Sequence, residues 1–426
     1  MSPDKIPSSR RNDLANESGL RSLGEEIAGR PQQRGSKRRR SRRQRLTITI
    51  GVTLSLVIIL FFGGFGYLRF RFDQLTKFHI GGLTQEANGQ PFNVLVVGSD
   101  SRTGLTGEMA AQAGASQFVG GQRSDVTMIW HVNPVEKTVQ IVSIPRDTLV
   151  SLSATPKLAN TYGRFNRINS AFDGGPAGLA KVITANFGIP ISHVAQVNFA
   201  GFAGAVDAIG GVKLNFPYPA RDAFSGLNIS QTGCQLLNGG NALAVARSRH
   251  YEYYAHGYWQ GDGSSDFGRI TRQGAFLRSI VATAKSKANP LTINAFLGSI
   301  PAGVIIDDKW SLKDLVNLAL DYRSIDPQTI VTQTMPTDYK GYVGPWGDVL
   351  FASQPSTQEM LSSIFASSLE RPTFPAPNPA LQTPQPSSLT TTTAKPPPTS
   401  KGHGSSTTAP VTTTTTAIPS FDPTPC

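Results

Sequence analysis

The chain has 426 residues, 39% of them hydrophobic and 16% charged, with 42 Gly, 30 Pro and only 2 Cys. Two cysteines exclude a small disulfide-stapled scaffold, and no Cys-x-x-Cys pair exists to hold zinc. The formal net charge of +12 points to a nucleic-acid binder only until it is divided along the chain. Residues 1–45 hold 13 Lys+Arg against 5 Asp+Glu, residues 46–370 hold 24 against 22, and residues 371–426 hold 3 against 1. A main segment so nearly balanced offers no basic surface for nucleic acid.

Residues 1–45 are polar and basic, and are expected to form a disordered cytoplasmic arm. Eight Lys/Arg lie between Arg34 and Arg45, and residues 46–68 then run for 23 positions without a charge. At about 1.5 Å per helical residue this stretch spans ~35 Å, enough for a hydrocarbon core of about 30 Å with some tilt. A cleaved signal peptide has an apolar run of only ~7–15 residues and a small-residue exit. This run is longer and leaves through Tyr67, Leu68, Arg69 and Phe70, so a single uncleaved transmembrane helix is expected. The basic run before it places the N-terminus in the cytoplasm and everything after Leu68 outside. Residues 69–84 read as a linker.

Residues 85–370 read as one domain. Short β-branched runs at 92–97, 126–132 and 138–144 predict strands, with further strands at 193–199, 212–216, 304–307 and 329–333. Spacing of the 3.6 type predicts helices at 175–187, 201–209, 267–288, 311–322 and 356–368. Strands alternating with helices predict a single layered α/β/α domain with a mixed central sheet. From 371 onward, 13 of 56 residues are Pro and 15 are Thr. Such a segment buries too little apolar surface to offset its ordering entropy and reads as a disordered tail. Cys426 ends that tail and Cys234 lies in the domain, so no fixed bridge between them is expected.

No Gly-x-Ser-x-Gly or His-Glu-x-x-His motif is present, and the six histidines lack metal-ligand spacing. Acid–arginine pairs at strand ends are the informative feature: Asp100 with Arg102, Arg123 with Asp125, and Arg146 with Asp147. In open α/β sheets, ligands sit at strand ends. Asp100 and Asp125 are hard oxygen donors suited to Mg²⁺, which takes one or two carboxylates plus substrate phosphate oxygens. Downstream, Arg247 and Arg249 lie at i, i+2 and would point to one side of an extended chain. Asp266, Arg269, Arg272 and Gln273 share a helix face, with Asp266 the only acid within a turn. Arginines outnumbering acids in this way want an external anion, and a guanidinium fork fits phosphate oxygens. Solvated cationic faces and ordinary loop salt bridges are the plainer alternatives.

Seven motifs occur in order: NVLVVGSDSR (93–102), RSD (123–125), SIPRD (143–147), RINSAF (167–172), DAIGG (207–211), RSR (247–249) and DFGRITRQ (266–273). Together they resemble the LytR-CpsA-Psr family over roughly residues 90–280. That resemblance implies a membrane-anchored ligase with an extracellular or periplasmic catalytic domain. It would move a glycopolymer from a polyprenyl-pyrophosphate carrier onto peptidoglycan, with Mg²⁺, or Mn²⁺ in its place, at the pyrophosphate. Carried over by motif, Asp100 and Asp125 would hold the metal. Arg102, Arg123, Arg146, Arg247, Arg249, Arg269, Arg272 and Gln273 would surround the pyrophosphate. Val126 stands where many members have Thr. The stretch 250–266 is longer than the family pattern and carries Tyr251, Tyr253, Tyr254, Tyr258 and Trp259, flat faces suited either to sugar rings or to capping the fold.

The implied reaction is phosphoryl transfer without a covalent enzyme intermediate, in which positioning and charge neutralisation do most of the work. Arg146, Asp125 and Asp147 are the catalytic candidates, with Asp125 or Asp147 taking the acceptor hydroxyl's proton. Phe172, Val182, Phe199, Phe202 and Val206 are candidates to line a slot for the lipid, or else are core. The threonine/proline tail and the aromatic insert favour arabinogalactan as the polymer, ahead of teichoic acid or capsule. A polyprenyl-pyrophosphate hydrolase and a non-catalytic, lipid-binding regulator of envelope assembly are the rival readings.

Overall fold

The structure, a computed structural model, describes residues 42–85, 89–99, 124–287, 290–299, 303–377 and 419–426. Asp100, Arg102 and Arg123, most of the basic arm and the middle of the Pro/Thr tail lie outside these residues. The chain divides into two compact units, one up to Gly66 and one from Tyr67 onward.

Helix α1 (Arg42–Asp73) runs through the uncharged stretch. Along it Ile50, Leu54, Ile59, Phe62 and Phe65 are exposed. Among the described residues no helix is long and apolar enough to cross a membrane. The side chains of Val57, Ile58, Leu60 and Phe61 in this stretch lie outside the described residues.

The second unit continues with β1 (Thr76–Phe78), β2 (Phe92–Ser99), β3 (Ser124–Asn133) and β4 (Thr138–Ser143). Strands β5 (Leu149–Ser151) and β6 (Phe165–Arg167) flank α2 (Pro156–Tyr162), and α3 (Gly175–Phe187) leads into β7 (His193–Val197). Then come α4 (Phe199–Ala208), β8 (Val212–Phe216), β9 (Ala220–Asp222), β10 (Leu227–Ile229), β11 (Gly233–Leu237) and α5 (Gly239–Arg247). The hairpin of β12 (Glu252–Ala255) and β13 (Tyr258–Gly261) precedes the long helix α6 (Asp266–Ser286). The unit continues through α7 (Pro290–Ser299), β14 (Val304–Asp307), α8 (Leu312–Asp321) and β15 (Val331–Thr334). It closes with β16 (Thr337–Val343), β17 (Gly347–Ala352), α9 (Ser356–Phe365) and β18 (Thr424–Pro425).

Seven strands form one mixed sheet in the order β1-β14-β7-β2-β3-β4-β15. Alternation along the strands decides what covers each face. Leu95, Val97, Ile129 and Val142 pack against Leu179, Val182 and Ile183 of α3 and Leu361 and Ile364 of α9. On the opposite face Val94 meets Leu312, Leu315 and Leu318 of α8, while Met128 and Ile141 meet Leu277 and Val281 of α6. This is the layered α/β/α domain that the sequence pattern predicts. A further core joins α4, α5, β8, Tyr251 and Phe276 under α6. The residues expected to line one lipid slot are divided between cores, Phe172 and Val182 in the first, Val206 and Phe202 in this last one.

Two expectations need correction. Residues 69–84 are no linker: β1 pairs with β14, and Ile80 and Leu83 are buried in the first core. Nor do the cysteines stay apart, because Cys234 and Cys426 form a disulfide across a separation of 192 residues. The end of the tail returns as β18, which pairs with β8, while β11 carries Cys234 on β8's other side. Composition could not reveal this, since eight residues with fixed partners are lost in the average of a Pro/Thr-rich segment.

Closing so long a loop removes about 5 kcal/mol of unfolded-chain entropy on the simple polymer estimate, and native disulfides measure about 2–5 kcal/mol. Cys234→Ser or Cys426→Ser should therefore lower the free energy of denaturant unfolding by an amount in that range, with a matching fall in the midpoint. Wild type in reducing agent should match the variants. Identical midpoints for all three would mean that the bridge contributes nothing.

Candidate active site

The site begins with an irregularity in the sheet. Gly98 of β2 faces Val126 of β3, but Ser99 faces Ser124, so Asp125 is an extra residue without a cross-strand partner. Such a bulge bends the strand and re-aims a side chain. Gly98 makes the close approach feasible, because a Cβ there would come within 2.8 Å of the Val126 Cβ. Asp125 is thereby turned to a cluster of guanidiniums.

Arg146, in the loop after β4, donates from Nη1 to Asp125 Oδ1 at 2.8 Å, and its Nε lies 3.4 Å from Asp147. Arg167, at the end of β6, reaches the other Asp147 oxygen at 3.4 Å. Arg269 of α6 donates to the Asp125 backbone carbonyl at 2.6 Å and contacts Asp266 at 2.6 Å. Arg249 stands 3.5 Å from the same Asp266 oxygen. Four guanidiniums thus share three carboxylates among the described residues. The Nε atoms of Arg146, Arg249 and Arg269 are buried and have no hydrogen-bond partner there. Buried donors of this kind ordinarily have partners.

The electrostatics follow from this crowding. Burial pushes the Asp125 carboxyl up, but Arg269, Arg146 and Arg249 outweigh it and hold the group below its usual value. For Arg146, burial acts to lower the pKa, yet Asp125 and Asp147 prevail and raise it. Arg269 is lowered, its burial outweighing Asp266 and Asp125. One Asp125 oxygen is taken by Arg146, while Oδ2 is 4.0 Å from Arg269 and the side chain is 35% exposed. An oxygen so placed fits a hard divalent cation that takes its other ligands from phosphate and water. Among the described residues no group of three or more His, Cys, Asp or Glu could hold a metal.

Three of the predicted anion ligands are used differently. Arg247 does not point with Arg249; its guanidinium lies over the Phe199 ring at 4.7 Å. Gln273 donates to the Ala246 carbonyl at 2.9 Å. Arg272 is fully buried, with Nη1 at 2.7 Å from both Asp262 and Asp422. Asp266 is the only acid within a turn on this helix face, and two carboxylates from outside the helix join it there. Gly268 leaves room for that arrangement, since a Cβ there would sit 2.6 Å from Asp262 Oδ2.

Asp222 was not singled out from sequence, yet it organises the Arg249 turn. It accepts from Ser248 Oγ at 2.7 Å and from the backbone N–H of Arg249 and His250 at 3.0 and 2.9 Å. Burial opposes its charge, but these hydrogen bonds win and lower its pKa. Of the hairpin aromatics, Tyr251 is buried and Tyr253 stacks on Phe421, both supporting the fold. Tyr254 and Tyr258 are exposed, and Arg221 lies over Trp259 at 4.1 Å. Behind α6 is a cavity of about 500 Å³, lined by Met128, Ile141, Ser143, Ile270 and Leu277, with Thr424 and Pro425 on its wall.

The LytR_cpsA_psr family model matches residues 72–365. The chain belongs to that family. The probable cell wall biosynthesis protein LcpB of Corynebacterium glutamicum is 31% identical over 283 residues, covering 63% of this chain and 62% of that protein. The polyisoprenyl-teichoic acid–peptidoglycan teichoic acid transferase TagU of Enterococcus faecalis is 31% identical over 244 residues, 56% of this chain and 67% of that one. The fold resembles the LytR-Csp2A-Psr enzyme from Actinomyces oris, with a TM-score of 0.54 and 21% identity over 70% of this chain and 97% of that one. At that identity the likeness speaks for the fold.

Two outcomes test the site's geometry. Removing one member of a buried ion pair costs about 3–5 kcal/mol, whereas a part-exposed pair is worth about 1 kcal/mol or less. Arg272→Ala should therefore lower the unfolding midpoint far more than Arg249→Ala, and equal losses would contradict the burial. The second concerns pH. The folded pKa of Asp125 lies below its unfolded value, so its contribution is complete above about pH 4 and fades as pH falls through the folded pKa. Asp125→Asn should unfold earlier than wild type near neutral pH, and the gap should narrow as pH falls below about 4. A constant gap would show that Asp125 acts by packing instead.

Proposed function

We propose that this chain is a membrane-anchored transferase that moves a glycopolymer from a polyprenyl-pyrophosphate carrier to a peptidoglycan sugar hydroxyl. One observation carries the reading: four guanidiniums, those of Arg146, Arg167, Arg249 and Arg269, converge on three carboxylates, an excess of positive charge that an outside anion would balance. A pyrophosphate supplies both the charge and the paired oxygens that such a cluster accepts. The names of the Corynebacterium and Enterococcus relatives, a cell wall biosynthesis protein and a teichoic acid transferase, agree with it. Arabinogalactan is our assignment for the polymer, on the threonine/proline tail and the aromatic insert, with teichoic acid and capsule as its competitors. The uncharged 23-residue stretch, its exposed apolar side chains and the basic run before it support a single-pass anchor with the domain outside.

In the reaction the acceptor oxygen attacks the sugar-side phosphorus. The bond from that phosphorus to the bridging oxygen breaks, and polyprenyl phosphate leaves with the electron pair. Arg146, Arg249 and Arg269 hold the pyrophosphate in line and balance charge as it spreads over the oxygens. Asp125 Oδ2, with Asp100, the residue after β2 in sequence, would hold Mg²⁺, which when bound adds charge neutralisation at the pyrophosphate. The hydroxyl proton passes to Asp147 or Asp125. Asp125 is held ionised by the guanidiniums beside it, so it accepts the proton only as the P–O bond forms. The cavity behind α6 has a mixed lining, with Arg278, Gln328 and Gln333 beside Met128, Ile141, Ile270 and Leu277, and its apolar part is our candidate for the carrier's isoprenoid chain. Tyr254 and Tyr258 offer exposed faces to sugar rings.

The test is transfer in vitro from a polyprenyl-pyrophosphate oligosaccharide to a peptidoglycan fragment. Wild type should form a phosphodiester-linked conjugate and release polyprenyl phosphate. Arg146→Ala and Asp125→Asn should each slow this by about 10²–10³-fold, as removal of one transition-state contact does. Free sugar phosphate without conjugate would make the chain a hydrolase, and unchanged rates in the variants would remove these residues from the site.

A further inference from the structure

We propose that Asp422, 150 residues beyond Arg272, is a positioning residue of the anion site and acts through Arg272 and Ser248. The inference rests on the pyrophosphate reading above and names the part of the chain that keeps the site in shape. Residues 419–426 are attached by three independent means. Cys426 is bonded to Cys234, Thr424 and Pro425 pair with Asn215 and Leu214, and the Phe421 ring lies on Tyr253 at 4.6 Å with planes 1° apart. These attachments deliver one carboxylate. Asp422 Oδ1 accepts from Arg272 Nη1 at 2.7 Å, and its buried Oδ2 has no hydrogen-bond partner among the described residues.

Arg272 passes the constraint on. Its Nη2 donates to the Ser248 carbonyl at 3.1 Å, and Ser248 lies between Arg247 and Arg249. From the other side Asp222 grips the Ser248 hydroxyl and the next two backbone N–H groups. The turn that aims Arg249 is therefore held between two carboxylates, one directly and one through a guanidinium. The two N–H groups of Arg272 Nη1 are divided between Asp262 and Asp422, each at 2.7 Å. With the charge at 422 gone, Arg272 is drawn to Asp262, Ser248 loses its donor, and Arg249 is released from its place beside Asp266.

The measurement is calorimetric binding of farnesyl pyrophosphate to the full chain in detergent, with thermal midpoints taken in parallel. Wild type should bind, and Asp422→Asn should bind on the order of tenfold more weakly at a temperature where both are folded, a typical size for coupling between sites. Added to Arg249→Ala, Asp422→Asn should weaken binding little further, because it acts through that arginine. Asp422→Glu, which keeps the charge but displaces it, should keep the midpoint and recover part of the affinity; it carries the test if the amide variant does not fold. If Asp422→Asn lowers the midpoint but binds as tightly as wild type, Asp422 only stabilises the fold and the inference fails, while the proposed function stands. Full additivity with Arg249→Ala would also overturn it. If wild type itself does not bind, the pyrophosphate reading falls first.

Discussion

Everything near the site depends on a positive charge that never reaches solvent. Arg272 is fully buried, and a bare guanidinium there would be prohibitive without carboxylates at hydrogen-bond distance. Asp262 leaves the β12–β13 hairpin, Asp422 comes from the chain's last residues, and the Tyr251 ring lies 4.4 Å beneath the charge. The two acids exceed the charge they neutralise. For Asp422 burial dominates and, with Asp262 beside it, overrides Arg272 to raise its pKa. One arginine thus ties together a hairpin, a helix, the Arg249 turn and the terminal segment. None of these could settle independently, because each would leave an unpaired charge in the core.

The second constraint is the bulge at Asp125. A regular β2–β3 ladder would alternate side chains between the two covered faces of the sheet and give Asp125 an apolar surrounding. The extra residue frees it from that alternation at the sheet's end, where Arg146 and Arg269 meet it. Electrostatics then finishes what backbone geometry begins. Three arginines in a half-buried place repel one another unless carboxylates intervene, so Asp125 and Asp266 also serve to let the arginines assemble.

How much of this was legible followed the range of the interaction. The strands at 92–97 and 138–144 and the helix at 175–187 were legible because their burial patterns are local, with the apolar period set by the element itself. Asp125, Arg146 and Arg269 were legible as charged residues at element ends. The roles of Arg272 and Arg269 were not separable, since both look like unpaired arginines one turn apart on a helix. What separates them is Asp422, a single acid in a proline- and threonine-rich stretch, and no periodicity links it to residue 272. Asp222 was hidden for a similar reason: its work is accepting backbone N–H groups, which carry no side-chain signature. The disulfide was misjudged because the tail reads as disordered to its end, whereas β18 docks its last residues on β8.

Helix α6 shows how one element can serve a charged and an apolar surface at once. Successive residues turn by about 100°, so Asp266, Arg269 and Arg272 sweep around one side while Ile270, Gly274 and Leu277 occupy another. The first set faces β3, the Arg249 turn and the terminal segment; the second lines the cavity beside β15. Gly274 permits the close packing this requires, since a Cβ would stand 2.8 Å from Thr332 Oγ1. On separate elements, the charged surface and the cavity wall would have to be aligned by packing. A single helix supplies the alignment covalently. A shift of α6 driven by its buried arginine must therefore move Arg269 and the cavity wall together.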